Sequence, residues 1–259
     1  MARNSINMAR TAITQQRIGV QNYPYSLNFP GTNGSHLAIG TNVYAPERTS
    51  AWSIAYWINP KNNSVSNAQI FAEIDNALPF RGRIIRCTGG LLYVWLINTF
   101  NTNECYANYI VPPVGTWTRV VHTYDGSSSP SGIKTYYNNV LQTQNATRDL
   151  LSATIVPTAA LTRWGGWGGA NGNYPMYLTG MAHLNYAMTA QNVADDWFKP
   201  NTGTTPVDLY PVTEGSGTTV ASVGTGGNNG TIAGSVTWSS TISPMKSRSV
   251  LTQARLAVS

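Results

Sequence analysis

Residues 115–141 constrain the fold of this chain most strongly, because they combine a strand pattern with two turn signals. Val120, His122 and Tyr124 fall at every second position, which is the period of a β-strand. A Ser- and Gly-rich loop follows, and a second strand-forming segment then leads into a pair of asparagines at 138–139. The stretch therefore predicts a β-hairpin followed by a second hairpin turn, as in an antiparallel sheet.

Further segments extend this pattern on both sides, at residues 26–39, 51–60, 161–189 and 208–231. Together with the hairpins they resemble the laminin-G-like, concanavalin A-like jelly-roll family over roughly residues 25–240. Asn139 stands where that family usually has a turn glycine, and Asn also tolerates positive φ. The resemblance implies an all-β fold, an antiparallel jelly-roll β-sandwich with extended N- and C-terminal arms. One jelly-roll is expected over residues 21–240, with basic arms at 1–20 and 241–259.

The strand predicted at residues 51–60 should be central in its sheet and buried on both faces. Ile54 and Tyr56 share one face of this strand, and Trp57 lies on the other. Both Trp57 and Trp117 are expected to be buried in the core.

The segments around this strand give a less regular pattern. Residues 61–82 are predicted to form a loop-rich connection. Strands are predicted at residues 83–87, 91–97 and 105–111. Thr189 is predicted to cap a short helix over residues 190–198.

The two cysteines, Cys87 and Cys105, lie on predicted strands either side of the strand at residues 91–97. If both outer strands pair with the middle one, the cysteines are roughly 9–10 Å apart, which is too far for a disulfide bond. Two buried free thiols are therefore predicted.

The charge distribution separates the ends of the chain from its middle. Residues 21–240 hold ten basic and ten acidic side chains, whereas residues 1–20 and 241–259 hold six basic side chains and no acid. The net charge of +6 therefore belongs to the arms, which argues against a uniform basic face and against a specific nucleic-acid partner. The sequence has no run of about 18 apolar residues, so no membrane span is predicted.

The two arms contain similar segments, 10–20 and 248–258, which align without a gap. Chance or shared composition is one explanation, because short repeats are weak signals. The other is that both arms dock on equivalent sites of a repeating assembly, in a homo-oligomer or with other structural proteins of a particle. The candidate docking residues are Arg10, Ile13, Thr14, Gln15, Arg17, Ile18, Arg248, Leu251, Thr252, Gln253, Arg255 and Leu256.

A segment rich in Trp and Gly is the best candidate for carbohydrate binding. Trp164, Trp167 and Tyr174 offer aromatic faces that stack on sugar rings. Asn171 offers an amide for sugar hydroxyls. For Trp164, packing inside the core is the favoured alternative, whereas for Trp167 stacking and core packing are both open. A surface glycan is the expected ligand.

Candidate catalytic and metal-binding groups are few. Glu73 and Asp75 share a strand face, as the paired carboxylates of sandwich-fold glucanases do, but the third carboxylate of that motif is missing. A structural role is favoured for both residues, and also for His122. Neutral residues or His stand where the family carries acids for calcium, so no metal and no cofactor is predicted.

Three functions are compatible with these features. The favoured one is a non-enzymatic structural subunit of a particle, a phage or virion decoration or fibre-type protein that displays a glycan-binding jelly-roll. It would be located on the virion or another extracellular particle. The alternative is a secreted or cell-surface glycan-binding adhesin, and a glycoside hydrolase ranks last. A charged fraction of only 10% suits an extracellular or particle-bound surface.

Overall fold

The computed structural model describes residues 23–166, 172–195 and 205–241. Within these ranges the chain forms two antiparallel sheets, packed face to face, and one short α-helix. The predicted all-β sandwich is therefore confirmed. The predicted arms lie outside the described residues, except for Thr241.

The first sheet has eight strands, with the order β10-β9-β8-β3-β13-β1-β17, and β14 pairs with β13 on the side that faces β1. These strands are β1 (Ser26–Phe29), β3 (Trp52–Pro60), β8 (Thr118–Tyr124), β9 (Ile133–Tyr137), β10 (Val140–Leu141), β13 (Met176–Leu184), β14 (Asp208–Tyr210) and β17 (Thr237–Ser239). Strands β14 and β17 lie far along the chain, so its C-terminal part completes this sheet.

The second sheet has nine strands, with the order β11-β7-β6-β5-β4-β12-β2-β16-β15. These strands are β2 (His36–Thr41), β4 (Ala68–Ile74), β5 (Gly82–Thr88), β6 (Leu91–Thr99), β7 (Asn103–Ile110), β11 (Ala146–Asp149), β12 (Leu161–Gly165), β15 (Thr219–Val220) and β16 (Gly230–Ala233). The first two strands of the chain do not pair with each other, because β1 belongs to one sheet and β2 to the other.

Strand β3 lies in the middle of the eight-stranded sheet and is buried on both faces, as predicted. Ile54 and Tyr56 belong to the main core between the sheets. Trp57 packs on the opposite face, under the cluster of Met188 and Val193 near the helix α1 (Ala190–Ala194). Because this cover is small, Trp57 is only half-buried.

Trp117 is also half-buried, at the start of β8. The prediction that it and Trp57 are buried in the core was therefore wrong for both. Helix α1 is shorter than predicted, since it ends at Ala194. Its start is confirmed: the Thr189 side chain accepts a hydrogen bond from the Asn192 backbone N–H in a reciprocal capping box.

Residues 61–82 are rich in loops, as predicted, but the strand β4 lies between the loop segments 61–67 and 75–81 and was not predicted. All of its residues are buried, including the charged Glu73, so the strand lacks the polar alternation that normally identifies a surface strand. The turn after β9 is confirmed, since Asn138 and Asn139 adopt φ angles of 47° and 73°.

The cysteine prediction is confirmed in this structure. Cys87 on β5 and Cys105 on β7 are free and buried, with β6 between their strands. Burial raises the pKa of the Cys87 thiol to about 11 and that of Cys105 to about 12. Neither thiol is therefore a reactive thiolate at neutral pH. Among the residues described, no helix has the length and apolarity needed to cross a membrane.

Candidate functional site

The face of the nine-stranded sheet that points away from the core, here called the outer face, carries a row of direct cross-strand neighbours over all nine strands. From β11 to β15 this row consists of Arg148, Tyr106, Trp95, Ile84, Ala72, Arg163, Ala38, Thr231 and Thr219. A second row beside it consists of Asn108, Tyr93, Arg86 and Gln69. Aromatic residues thus occupy one region of the outer face, with arginines around them.

Three aromatic side chains, Tyr93, Trp95 and Tyr106, form what is here called the aromatic cluster. The ring centroids of Trp95 and Tyr106 are 5.0 Å apart and those of Tyr93 and Tyr106 are 5.4 Å apart, both edge to face. Tyr93 and Trp95 stack at 5.8 Å. These distances are typical of stable aromatic pairs, so the cluster is a rigid surface rather than three independent side chains.

Arg86 lies directly on the aromatic cluster. Its guanidinium carbon is 4.2 Å from the Trp95 ring centroid and 5.7 Å from that of Tyr93, which is cation–π geometry. The charge therefore sits over an indole ring near the middle of the outer face. Burial lowers the pKa of Arg86, but the guanidinium stays protonated at physiological pH.

Part of the outer face is covered and part is open. Phe80 and Phe100 pack on a small apolar cluster that includes Ile84 and Ile97, and they close that region. Tyr93, Tyr106 and Arg86 are half-buried, whereas Trp95 beneath Arg86 is buried. The accessible surface is therefore made by the two tyrosines and the arginine.

A groove of about 560 Å³ begins beyond the end of β5, two residues after Arg86. Its lining is neutral and combines the polar side chains of Asn63, Ser64, Ser66 and Thr88 with Val65 and two glycines. Hydroxyl and amide groups of this kind donate to and accept hydrogen bonds from sugar hydroxyls. The aromatic cluster and the groove together offer stacking and hydrogen bonding next to each other.

The structure places two of the predicted sugar-binding residues in the core. Trp164 is 0% exposed and packs edge to face against Phe71 and Tyr56. Tyr174 is also 0% exposed, and its hydroxyl donates to Asn63 Oδ1. Neither ring has a face available for a sugar, so the prediction is corrected for both.

The other two predicted sugar-binding residues, Trp167 and Asn171, lie outside the described residues. Gly172 follows them, and its carbonyl accepts a hydrogen bond from the backbone N–H of Gln69, the cross-strand neighbour of Arg86. The predicted segment is therefore followed by a residue beside the second row of the outer face. Sugar binding by Trp167 and Asn171 stays a prediction.

Glu73 lies between the sheets and not on an accessible face. Its Oε2 accepts hydrogen bonds from Arg83 Nε at 3.2 Å and Nη2 at 3.1 Å, and its Oε1 accepts from the Thr162 hydroxyl at 2.6 Å and the Tyr44 backbone N–H at 2.9 Å. Asp75 follows the end of β4 and accepts backbone N–H groups of residues 158 and 159. Both carboxylates thus have structural partners, as the sequence favoured.

The same Arg83 joins the two sheets. Its Nη2 lies 2.8 Å from His183 Nε2 on β13, and its guanidinium packs against the ring of Trp52 on β3. His183 in turn stacks on Tyr44, with ring centroids 3.8 Å apart. Burial, with the nearby Arg83 charge, lowers the pKa of His183 well below its ordinary value, so this histidine is neutral.

His122 is fully buried in the core, as the sequence favoured. Its ring nitrogens contact the hydroxyls of Tyr56 at 2.9 Å and Thr135 at 2.8 Å. Burial lowers the pKa of His122 to about 3. A histidine without access to solvent or to a catalytic partner has a structural role here.

Metal binding finds no support in the described parts of the chain, where no group of three or more His, Cys, Asp or Glu residues is arranged to hold an ion. The absence of a metal therefore stays a prediction, which chelation can test.

A second aromatic patch lies on the eight-stranded sheet. Trp117 and Tyr177 have ring centroids 6.4 Å apart, and the Lys61 ammonium lies 4.1 Å from the Tyr177 ring centroid. Lys61 already donates to Asn28 Oδ1 and to the carbonyl of Phe29. Because its cation is engaged, this patch is a weaker candidate and serves as a control for the outer face.

The aromatic cluster was missed at the sequence level. Its signal was present in β6, where Tyr93, Trp95 and Ile97 alternate with the core residues Leu92, Val94 and Leu96. Large apolar residues on both faces of a strand are typical of a buried sheet, so this pattern alone does not indicate an accessible surface. Only the register shows that Tyr106 and Arg86 lie beside the outward aromatic residues.

The chain belongs to the Laminin_G_3 family of the concanavalin A-like lectin/glucanases superfamily, whose family model matches residues 30–194. No curated protein sequence matches the chain. The strands β14 to β17 come after the matched residues and still contribute to both sheets.

Several solved structures are similar to this chain at low sequence identity. A protein of Bacteroides ovatus ATCC 8483, provisionally assigned as carbohydrate-binding, is 15% identical with a TM-score of 0.58; the match covers 84% of this chain and 60% of that one. A heptameric SAP-like pentraxin of Limulus polyphemus is 18% identical with a TM-score of 0.46, over 68% of this chain and 82% of that one. Botulinum neurotoxin type C, studied for its interaction with two ganglioside molecules, is 16% identical with a TM-score of 0.37, over 56% and 34%.

Proposed function

We propose that this chain is a non-enzymatic glycan-binding subunit, displayed on a virion or similar particle and attached through its two terminal segments. The observation that carries glycan binding is the aromatic cluster on the outer face, whose two tyrosines are partly exposed, with Arg86 lying on it. Membership of a lectin/glucanase superfamily supports the same ligand class. So does the carbohydrate-binding assignment of the Bacteroides protein, whose fold this chain shares.

The chemistry of the outer face suits a sugar better than an apolar ligand. Tyr93 and Tyr106 offer ring surface and phenolic hydroxyls at the same place, as sites for amphipathic ligands commonly do. The groove beyond β5 adds neutral hydrogen-bonding groups within reach of an oligosaccharide. Binding without hydrolysis is favoured because the Glu73 carboxylate is 0% exposed and both of its oxygens contact protein groups.

Replacing Tyr106 by alanine should reduce glycan binding at least tenfold, because the edge of the aromatic cluster is lost. The measurement is a glycan array, followed by titration of the best ligand. Trp117→Ala is the matched control, since it removes a half-buried aromatic residue from the other sheet. Equal losses in both variants would contradict the assignment of the site to the outer face. Retained binding in Tyr106→Ala would also contradict it.

The same assay tests two predictions made from the sequence. Trp167→Ala should lower binding while the melting temperature holds, if Trp167 contacts the sugar. A chelator should change neither binding nor melting temperature, and a loss on adding EDTA would show that a metal is required.

The positions of the chain ends support attachment through the arms. Strands β1 and β17 are antiparallel neighbours with Ser26 opposite Ser239, and the Ser26 hydroxyl donates to the carbonyl of Thr241 at 2.7 Å. The segments before Tyr23 and after Thr241 therefore connect to the same end of one strand pair. Two similar arms beginning side by side can engage neighbouring sites of one assembly, and such linked binding is stronger than either contact alone.

Deleting residues 1–20 or residues 244–259 should leave a folded jelly-roll that fails to incorporate into its assembly. Deleting both segments should reduce incorporation more than additively, because linked binding multiplies the two affinities. The measurement is co-sedimentation with purified particles, with circular dichroism as the folding control. Normal incorporation of the double deletion would refute attachment through the arms and would leave the adhesin alternative.

A further inference from the structure

Among the residues that the structure describes, Arg86 differs from Arg83, Arg148 and Arg163 because it has no ion-pair or hydrogen-bond acceptor. Arg83 is paired with Glu73, Arg148 with Glu104, and Arg163 donates to the Asn76 side chain. Within the described part of the chain, Arg86 forms no ion pair, and its buried Nε has no hydrogen-bond acceptor. Because Nε is buried, the terminal Nη groups are the donors that remain for a ligand.

The charge around Arg86 is positive on the accessible side. On the outward-facing positions of β5, β6, β7 and β11, the cations are Arg86 and Arg148 and the acid is Glu104. Glu104 is 0% exposed, and its Oε2 accepts a hydrogen bond from the backbone N–H of Asn101. Its carboxylate therefore lies beneath the surface and leaves a net positive charge towards a ligand.

The contact with Trp95 also fixes the orientation of Arg86. With its guanidinium carbon 4.2 Å from the ring centroid, the group is held over the indole, and its terminal amino groups are left for hydrogen bonding. Such a fork matches the paired oxygens of a carboxylate or sulfate. Because the group is already oriented, little conformational entropy is lost when an anion binds.

We propose that the outer face binds acidic glycans, and that Arg86 recognises a carboxylate or sulfate on the sugar while Tyr93 and Tyr106 contact its ring. This proposal rests on the glycan-binding function proposed above and specifies its ligand class. An anionic sugar supplies the acceptors that Arg86 lacks, and it neutralises the charge on this part of the sheet. The neutral groove beyond β5 then receives the uncharged sugars that follow.

The test compares acidic glycans with related neutral glycans that lack the acidic group, using the full-length chain. The probes are oligogalacturonate and its methyl ester, sialyllactose and lactose, and carrageenan and agarose oligosaccharides. At least one acidic probe should bind at least tenfold more tightly than its neutral partner at 0.15 M salt, which is about the physiological ionic strength. The acidic member carries a carboxylate in the first two pairs and a sulfate in the third. The pair with the largest difference in affinity therefore identifies the anionic group that Arg86 recognises.

Arg86→Gln should lower the affinity for the preferred acidic probe at least tenfold and remove its preference over the neutral partner, with the melting temperature within error. Arg86→Lys, which keeps the charge but not the planar fork, should recover only part of it. Lys134→Gln is the matched control, since it removes an exposed cation from the other sheet. A preference that survives in Arg86→Gln would overturn the proposal, as would equal affinity for acidic and neutral probes.

The outcomes also separate this inference from the function on which it rests. Neutral glycan binding that needs Tyr106 but shows no acidic preference would keep the proposed function and refute the acidic ligand class. No binding to any glycan would refute both. Binding of a single-stranded oligonucleotide as tightly as the best acidic glycan would show general attraction to polyanions and would overturn the proposal.

Discussion

Replacing Glu73 by glutamine should lower the free energy of unfolding by about 3–5 kcal/mol, because the substitution leaves the Arg83 cation buried without its counter-charge. Glu73 and Arg83 are 0% and 2% exposed, so water cannot replace the lost partner. Arg83 also contacts His183 and Trp52 on the other sheet, and its displacement would loosen the contact between the sheets. Urea denaturation at pH 7 measures the change.

Two variants distinguish a buried ion pair from a general effect of substitution in β4. Asp75→Asn alters the half-buried carboxylate two residues away and should cost less than about 1 kcal/mol. The double variant Glu73→Leu/Arg83→Met removes both charges and should recover most of the loss, because apolar replacements of a buried pair are often neutral. A loss below about 1 kcal/mol in Glu73→Gln would show that the pair contributes little.

Acidification should destabilise the protein, and replacing His122 by glutamine should remove part of this effect. The pKa of His122 is about 3 in the folded chain, against an ordinary value of 6.5. Between these values the unfolded chain binds a proton that the folded chain does not. The stabilisation is thus present above pH 6.5 and is lost as pH falls towards 3, by about 1.4 kcal/mol per pH unit.

The measurement is the free energy of unfolding of both proteins at several pH values between 7 and 4. Glutamine keeps one donor and one acceptor for the Tyr56 and Thr135 hydroxyls, so the variant should fold. In the variant, the slope of the unfolding free energy against pH should be smaller by about one proton. His183, which is also buried and neutral, still contributes to the slope that is left. Equal slopes in the two proteins would show that His122 is protonated in the folded chain.

Much of the fold could be predicted from local patterns. The central hairpins, β3 and the capped start of α1 depend on alternation, turn residues and a capping side chain, which are all local. Strand β4 could not be predicted in this way, because the burial of its charged residue depends on partners in other strands. Glu73 resembles a surface residue until Arg83 is placed opposite it and Thr162 beside it.

The candidate site depended even more on distant contacts. The aromatic segment at 164–174 was chosen for its composition, and the structure buries Trp164 and Tyr174 there. The outer face combines residues from β5, β6 and β7, and no short motif contains Arg86, Trp95 and Tyr106 together. Predicting it requires both the pairing partners and the register, since a shift of one residue would turn these side chains into the core.

The neighbouring chain ends also affect the order of folding. Strands β1 and β17 pair across a sequence separation of more than two hundred residues, as the bond between Ser26 and Thr241, 215 positions apart, illustrates. Strands β14 to β17 complete both sheets, so a ribosome must add these strands before either sheet has all its neighbours. Folds with such distant pairings form slowly. Until β17 has been synthesised, β1 lacks its last neighbour, and the unfinished sheet edge is exposed to pairing with other nascent chains.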